Sequence, residues 1–326
     1  MKPNVIVIFV LTILVLTLAS CDDAAETSRE SVKKSIQFED LVTTFQHPDT
    51  QQSFKIIHAY ELFQNYIGAV ADHPDDPYME IYQEEVIDPI YEDCFSDGEF
   101  LYMADPILKG SPQQLSVGPT HLAEIQHLID DIDTEKTENL IRESLLKSSE
   151  LLPVEMETTV CVLPSKNKQV NMITVGAGKI SVLYNPLYTE ETLRAGVAHE
   201  YHHSFWANRY LDPSAPPTVL DNMIFEGKAV MFEKTVYPDI EMTRIDDAYN
   251  KDNWAKIQQH LDKVDVSRSY DIMMGGKGLP WGYGYSEGYK MVESYLERNQ
   301  DLSPADWTPV HAKEIFEAGQ YDDHYR

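Results

Sequence analysis

The sequence predicts an α+β fold that is mostly helical, with one small β-sheet in the middle of the chain. Apolar residues recur at helical spacing through residues 54–149, as at Phe54, Ile57, Tyr60, Leu62 and Phe63, and again at Leu140, Ile141, Leu145 and Leu146. β-Branched runs replace that pattern over residues 158–184. Beyond residue 189, long helical segments return, bounded by capping residues, prolines and glycine.

Residues 1–20 read as a leader and not as part of the fold. Lys2 is a short cationic start, residues 5–18 are apolar but too few to span a bilayer, and Leu18-Ala19-Ser20 precede Cys21. That order resembles the bacterial lipoprotein signal, in which the cysteine becomes the lipidated first residue of the mature chain. The resemblance implies a protein held by Cys21 on the outer face of the membrane, outside the cytoplasm. Residues 21–50 then read as a polar tether, residues 51–150 as a helical N-terminal region, and residues 151–326 as the domain that carries the chemistry.

The net charge of −28 excludes nucleic acid as a partner, because phosphate binding needs a basic face. It fits a solvated, self-repelling surface. Residues 72–85 (DHPDDPYMEIYQEE) also offer oxygen ligands for a structural Ca2+, without the spaced loop of an EF-hand. With Cys21 assigned, Cys94 and Cys161 remain. An oxidising compartment permits them to pair, but nothing in their spacing brings them together, and they are expected as two separate buried thiols.

In the second half, residues 158–165 read as a strand ending at a proline, and residues 170–175 and 179–184 as a hairpin around Gly-Ala-Gly. A long helix spans residues 189–210, with Glu190 and Glu191 in its first turn, and DPSAPP ends it. A second helix starts at Thr218, with Asp221 as its capping-box partner, and runs to about Val236. Residues 275–284 form a glycine-rich loop without the ending of a phosphate-binding P-loop. A helix follows near residues 285–298, and a last one is expected from Thr308-Pro309 to Gly319.

His199, Glu200 and His203 form an H-E-x-x-H pattern on the first of these helices. At about 100° per residue, His203 lies about 40° from His199 and Glu200 about 60° further round. Two imidazoles and a carboxylate therefore share one side. Imidazoles one turn apart suit a single Zn2+, and the glutamate between them is placed to act as a base on water. His202 points about 100° away from His203. It is expected to pack or hydrogen-bond nearby, or else to touch substrate. The motif needs a third ligand. Trp206 and Arg209 stand where a metzincin needs glycine and histidine, which excludes that class. Glu226 lies mid-helix among Ile224, Phe225, Val230, Met231 and Phe232, where a lone carboxylate is costly unless paired or metal-bound. Gly227 beside it would let this helix approach the first closely. Asn222 and Glu233 share the face of Glu226 as supporting groups, with Glu233 the fallback ligand and Asp212 a weaker alternative.

HEYHH followed by EGKA, with VCVLPS upstream and WGYGYSEGY downstream, resembles a bacterial family of predicted zinc-dependent proteases filed as a domain of unknown function. More broadly the chain resembles the gluzincins, metallopeptidases with HExxH plus a glutamate. The likeness covers about residues 149–321. It implies a zincin-like domain, one Zn2+ on His199, His203 and Glu226, Glu200 as catalytic base, and a peptide or protein substrate. By the same resemblance, KISVLY (residues 179–184) is the strand expected to pair with substrate. Tyr285 and Tyr283 are candidates for a donor to the oxyanion, and both read equally well as packing aromatics. A competing reading is a binding module that holds zinc or a partner without catalysis. Glu200 speaks against it, since a metal carrier needs no base.

Overall fold

Strands β1 (Val42–Gln46), β2 (Ser53–Ile57), β3 (Thr158–Pro164), β4 (Met172–Gly176) and β5 (Lys179–Tyr184) form one mixed sheet in the order β1-β2-β3-β5-β4. The computed structural model describes residues 35–169 and 172–326. The leader, Cys21 and residues 22–34 of the expected tether lie outside the described residues. β2, β3 and β5 run parallel to one another, while β1 and β4 are antiparallel to their neighbours at the two edges. β3 is buried along its whole length, as suits a β-branched run paired on both sides. The hairpin of β4 and β5 turns through Gly178, whose φ of 70° favours glycine.

Two expectations about the first half are corrected here. Residues 42–46 are an edge strand and not tether, and residues 53–57 are a strand and not the start of a helix. The stretch FKII carries both periods. Lys55 and Ile56 align with Thr159 and Val160 of β3, and that long-range pairing decides in favour of the strand. The helical region is therefore an excursion between two adjacent strands of one sheet, and Ile36–Arg326 form a single unit.

That excursion contains α1 (Phe63–Asp72), α2 (Tyr78–Tyr82), α3 (Asp88–Cys94), α4 (Asp105–Leu108), α5 (Leu122–Asp130) and α6 (Thr134–Leu151). After the sheet come α7 (Glu190–Tyr210), α8 (Val219–Val236), α9 (Lys251–Ile257), α10 (Val266–Met274) and α11 (Tyr283–Arg298). The short α12 (Pro304–Trp307) and α13 (Ala312–Ala318) close the fold. No helix among the described residues is long and apolar enough to cross a membrane.

α7 starts at an N-cap, Thr189, whose hydroxyl accepts from Thr192 N at 3.0 Å. α8 starts at the Thr218–Asp221 capping box. α6 packs along α7, where Ser144 Oγ donates to Arg194 O at 2.8 Å. The main core lies between the sheet and α1, α6 and α7. A second core gathers Met223, Ile272, Met291 and Ile315 from α8, α10, α11 and α13.

The last helix begins at Ala312 and not at Thr308, capped by His311, whose Nδ1 accepts from Lys313 N at 3.2 Å. Thr308 and Val310 are otherwise engaged. Their carbonyls accept from Lys228 Nζ at 2.7 and 2.6 Å, and Thr308 Oγ1 lies 3.3 Å from His202 Nε2.

Cys94 and Cys161 are joined in a disulfide between α3 and β3, with Cα atoms 6.0 Å apart, and so are not separate thiols. The fold brings the end of α3 onto the sheet, a closeness that spacing alone does not encode. Replacing both cysteines by alanine is expected to lower the unfolding free energy by up to about 4 kcal/mol, the chain-entropy value for a loop of 67 residues. Denaturant titration measures it, and an unchanged midpoint would mean that the cross-link constrains nothing.

Candidate metal centre

α7 turns His199 and His203 toward α8, which brings Glu226 to meet them. His199 Nε2 and His203 Nε2 lie 3.1 Å apart, and Glu226 Oε2 is 3.4 Å from the first and 3.3 Å from the second. Among the described residues this is the one group of three such side chains placed to share a metal ion. Bonds of about 2.0–2.1 Å at tetrahedral angles hold zinc ligands about 3.3–3.4 Å from one another. Two edges of the triangle have that length, and the third, between the two imidazoles, is 3.1 Å. The acidic stretch 72–85 gathers no such group, and Asp212 sits on an exposed loop, bound to Ser214.

The orientation of the imidazoles is built in. His199 Nδ1–H donates to Glu233 Oε2 at 2.9 Å, which leaves the Nε2 lone pair facing His203 and Glu226. Glu233 is buried and itself fixed, since Thr243 donates to it from both its backbone N and its hydroxyl at 3.0 Å. It therefore stands behind His199 and outside the triangle. Burial alone opposes charge on His199, but its bonds to Glu226 and Glu233 and the nearby charge of Glu200 push it up to about 10. Burial likewise opposes ionisation of Glu226, and the two histidines hold it down to about 2. Three carboxylates around two imidazoles create a field that favours positive charge, and the donor set suits zinc.

Glu200 points to the edge of the sheet, where Thr174 Oγ1 of β4 lies 2.8 Å from its Oε2. Tyr285, in the first turn of α11, stands with its ring centroid 6.5 Å from that of His199. The charge of Glu226 first, then burial and Glu200, raise its pKa well above the ordinary value, so the phenol keeps its proton. Tyr283 turns instead into the second core, where its charged neighbours are Glu287 and Asp246.

Asn222 is not brought to the centre. Its Nδ2 donates to Thr218 O at 3.1 Å and to Ser269 Oγ at 2.9 Å, which ties α8 to α10. His203 Nδ1 has no hydrogen-bond partner among the described residues. His202 packs: its ring stacks on Trp307 at 5.7 Å, and burial keeps it neutral. Two further expectations are corrected. Gly227 faces Gly288 of α11 and not α7. KISVLY, as β5, is paired on both sides by β3 and β4, so it has no free edge for a peptide; β4 is the edge strand.

Three residues at the site have no motif to announce them. Thr174 was legible only as a hydroxyl in an apolar strand. Burial first, and then the charge of Glu200, raises the pKa of Tyr188; burial first, and then the charge of Glu226, raises that of Tyr102 from the N-terminal half.

No curated protein and no solved structure matches the chain. One family model does, over residues 137–317, a span that begins in α6, contains every residue of the triangle together with Glu200 and Glu233, and ends in α13. That span is more than half of the chain. The chain therefore belongs to the family described as Predicted Zn-dependent protease (DUF2268).

Proposed function

We propose that the protein is a zinc-dependent metallopeptidase that hydrolyses peptide bonds, with zinc on His199, His203 and Glu226 and Glu200 as general base. The observation that carries this reading is the donor triangle with a fourth, non-ligating carboxylate beside it. Zinc, when bound, is a Lewis acid that polarises a carbonyl and brings the pKa of water down to about 7.

The chain's own groups divide the remaining work. Glu200 accepts a proton from the attacking water and returns it to the leaving amine. The Thr174 hydroxyl fixes one oxygen of that carboxylate, so the other is aimed consistently. Tyr285 keeps its proton and is the candidate donor to the carbonyl oxygen as negative charge develops there. Glu233 holds His199 in the tautomer that presents Nε2. β4 offers the sheet edge along which an extended peptide would lie.

Anchoring through a lipidated Cys21, outside the cytoplasm, belongs to the same proposal. The Cys94–Cys161 disulfide supports it, because such bonds persist in oxidising compartments.

The test is metal analysis of the purified protein combined with peptide-library hydrolysis before and after chelation. About one zinc per chain is expected, with hydrolysis lost on chelation and restored by zinc. Hydrolysis that survives complete removal of metal, or no hydrolysis by the zinc-loaded protein, would defeat the reading.

A further inference from the structure

The centre has an aromatic wall that the proposed chemistry does not use. Phe225, next to Glu226 in the chain, stacks on the His203 ring with centroids 4.0 Å apart. Trp206 meets the Phe225 ring edge-on at 5.1 Å, and Phe100 meets it at 6.1 Å. None of the three is fully buried. Phe100 comes from the excursion between β2 and β3 and is pinned to the edge strand, its N–H donating to Val175 O at 2.8 Å. The preceding Glu99 is pinned too, its Oε2 accepting from Ala177 N at 2.8 Å.

The 3-10 turn Leu101–Ala104 follows directly on Phe100 and carries Tyr102 two residues beyond it. Tyr102 is 69% exposed. Met103 beside it is 45% exposed. Large apolar side chains clustered on a surface, held in place by backbone hydrogen bonds and set against a reaction centre, have the character of a binding wall.

We propose that Phe100, Tyr102, Trp206 and Phe225 form a specificity subsite that takes a bulky apolar or aromatic side chain of the peptide, close to the bond to be cleaved. The inference rests on the peptidase reading for its substrate class. Aromatic faces and edges accept another ring in stacked or edge-on geometry. Covering one such side chain corresponds to about tenfold to a hundredfold in affinity. Phe100 and Tyr102 precede residue 137, where the family match begins. Half of this wall is thus supplied by a part of the chain that the family model does not span.

Binding can be read without turnover in zinc-loaded Glu200→Gln protein by calorimetry. The probes are alanine-rich octapeptides in which one Phe occupies each position in turn, with the all-alanine peptide as reference. At least one Phe position should bind about tenfold tighter than the reference, and that ratio should fall at least threefold when Tyr102→Ala or Trp206→Leu is added. Tyr102 is exposed, so its truncation leaves the core intact. No binding, equal binding of all peptides, or a preference that survives both substitutions would overturn the proposal. Wild-type zinc-loaded protein that fails to cleave the peptide it prefers would remove the peptidase reading and leave the binding preference standing.

Discussion

Glu200→Gln is expected to retain zinc and to lose peptide hydrolysis by about 10²- to 10⁴-fold in kcat, the range that a positioned general base supplies. The substitution is nearly isosteric, and the amide oxygen can still accept from the Thr174 hydroxyl, so the side chain keeps its place on α7. None of the three donor atoms of the triangle belongs to residue 200. What disappears is the ability to take a proton at neutral pH. Zinc content by metal analysis, measured beside kcat on one peptide, separates the two roles. Glu226→Ala should do the opposite and release the metal, because it removes one donor of three. Glu233→Ala should weaken zinc by about 10- to 100-fold, as expected for a group that only orients a ligand. A Glu200→Gln protein as fast as wild type would mean that another group moves the proton, and stronger zinc loss from Glu233→Ala than from Glu226→Ala would exchange their roles.

The legible part of the site was the part written in helical geometry. His199, Glu200 and His203 share a face because of their spacing. Glu226 stood out because a carboxylate surrounded by apolar residues needs a partner. Helix starts were legible for the same local reason: Thr189 and Thr218 have hydroxyls that satisfy free N–H groups, and the capping box formed with Asp221.

What was hidden depends on distance along the chain. Thr174 reaches Glu200 only because β4 is the edge strand over α7. Phe100 reaches Phe225, next to Glu226, only because the excursion before β3 folds back over the site. The strand β2 and the disulfide share one cause, since both depend on β3 as a common neighbour. Asn222 illustrates the converse. It lies on the correct face of α8 by spacing, but Ser269 of α10 intercepts its amide. His202 is similar, a histidine inside the motif whose ring is claimed by Trp307 and Thr308.

Gly227 and Gly288 explain how α8 and α11 deliver two site residues to one place, and they carry the second large prediction. A Cβ on Gly288 would collide with the Met223 carbonyl oxygen, and one on Gly227 with the backbone of Gly288 and Tyr289. The helices thus cross backbone against backbone. Each glycine costs a helix about 1 kcal/mol relative to alanine, so the close approach outweighs a preference that would otherwise favour alanine. Glu226 is adjacent to one member of the pair, and Tyr285 lies about one turn before the other. Gly288→Ala has to push the helices apart. It should destabilise the fold by about 1–3 kcal/mol, and Gly288→Val by more. Because the same displacement moves Glu226 relative to the histidines on α7, zinc affinity should fall with stability. Gly68 supplies the control: it lies within α1 with nothing within 4 Å of a built Cβ, so Gly68→Ala should stabilise by up to about 1 kcal/mol and leave zinc binding alone. Denaturant midpoints and zinc titrations on the three variants measure both effects. If Gly288→Ala matches wild type in both, the crossing of α8 and α11 is not what holds the third ligand in reach of the other two.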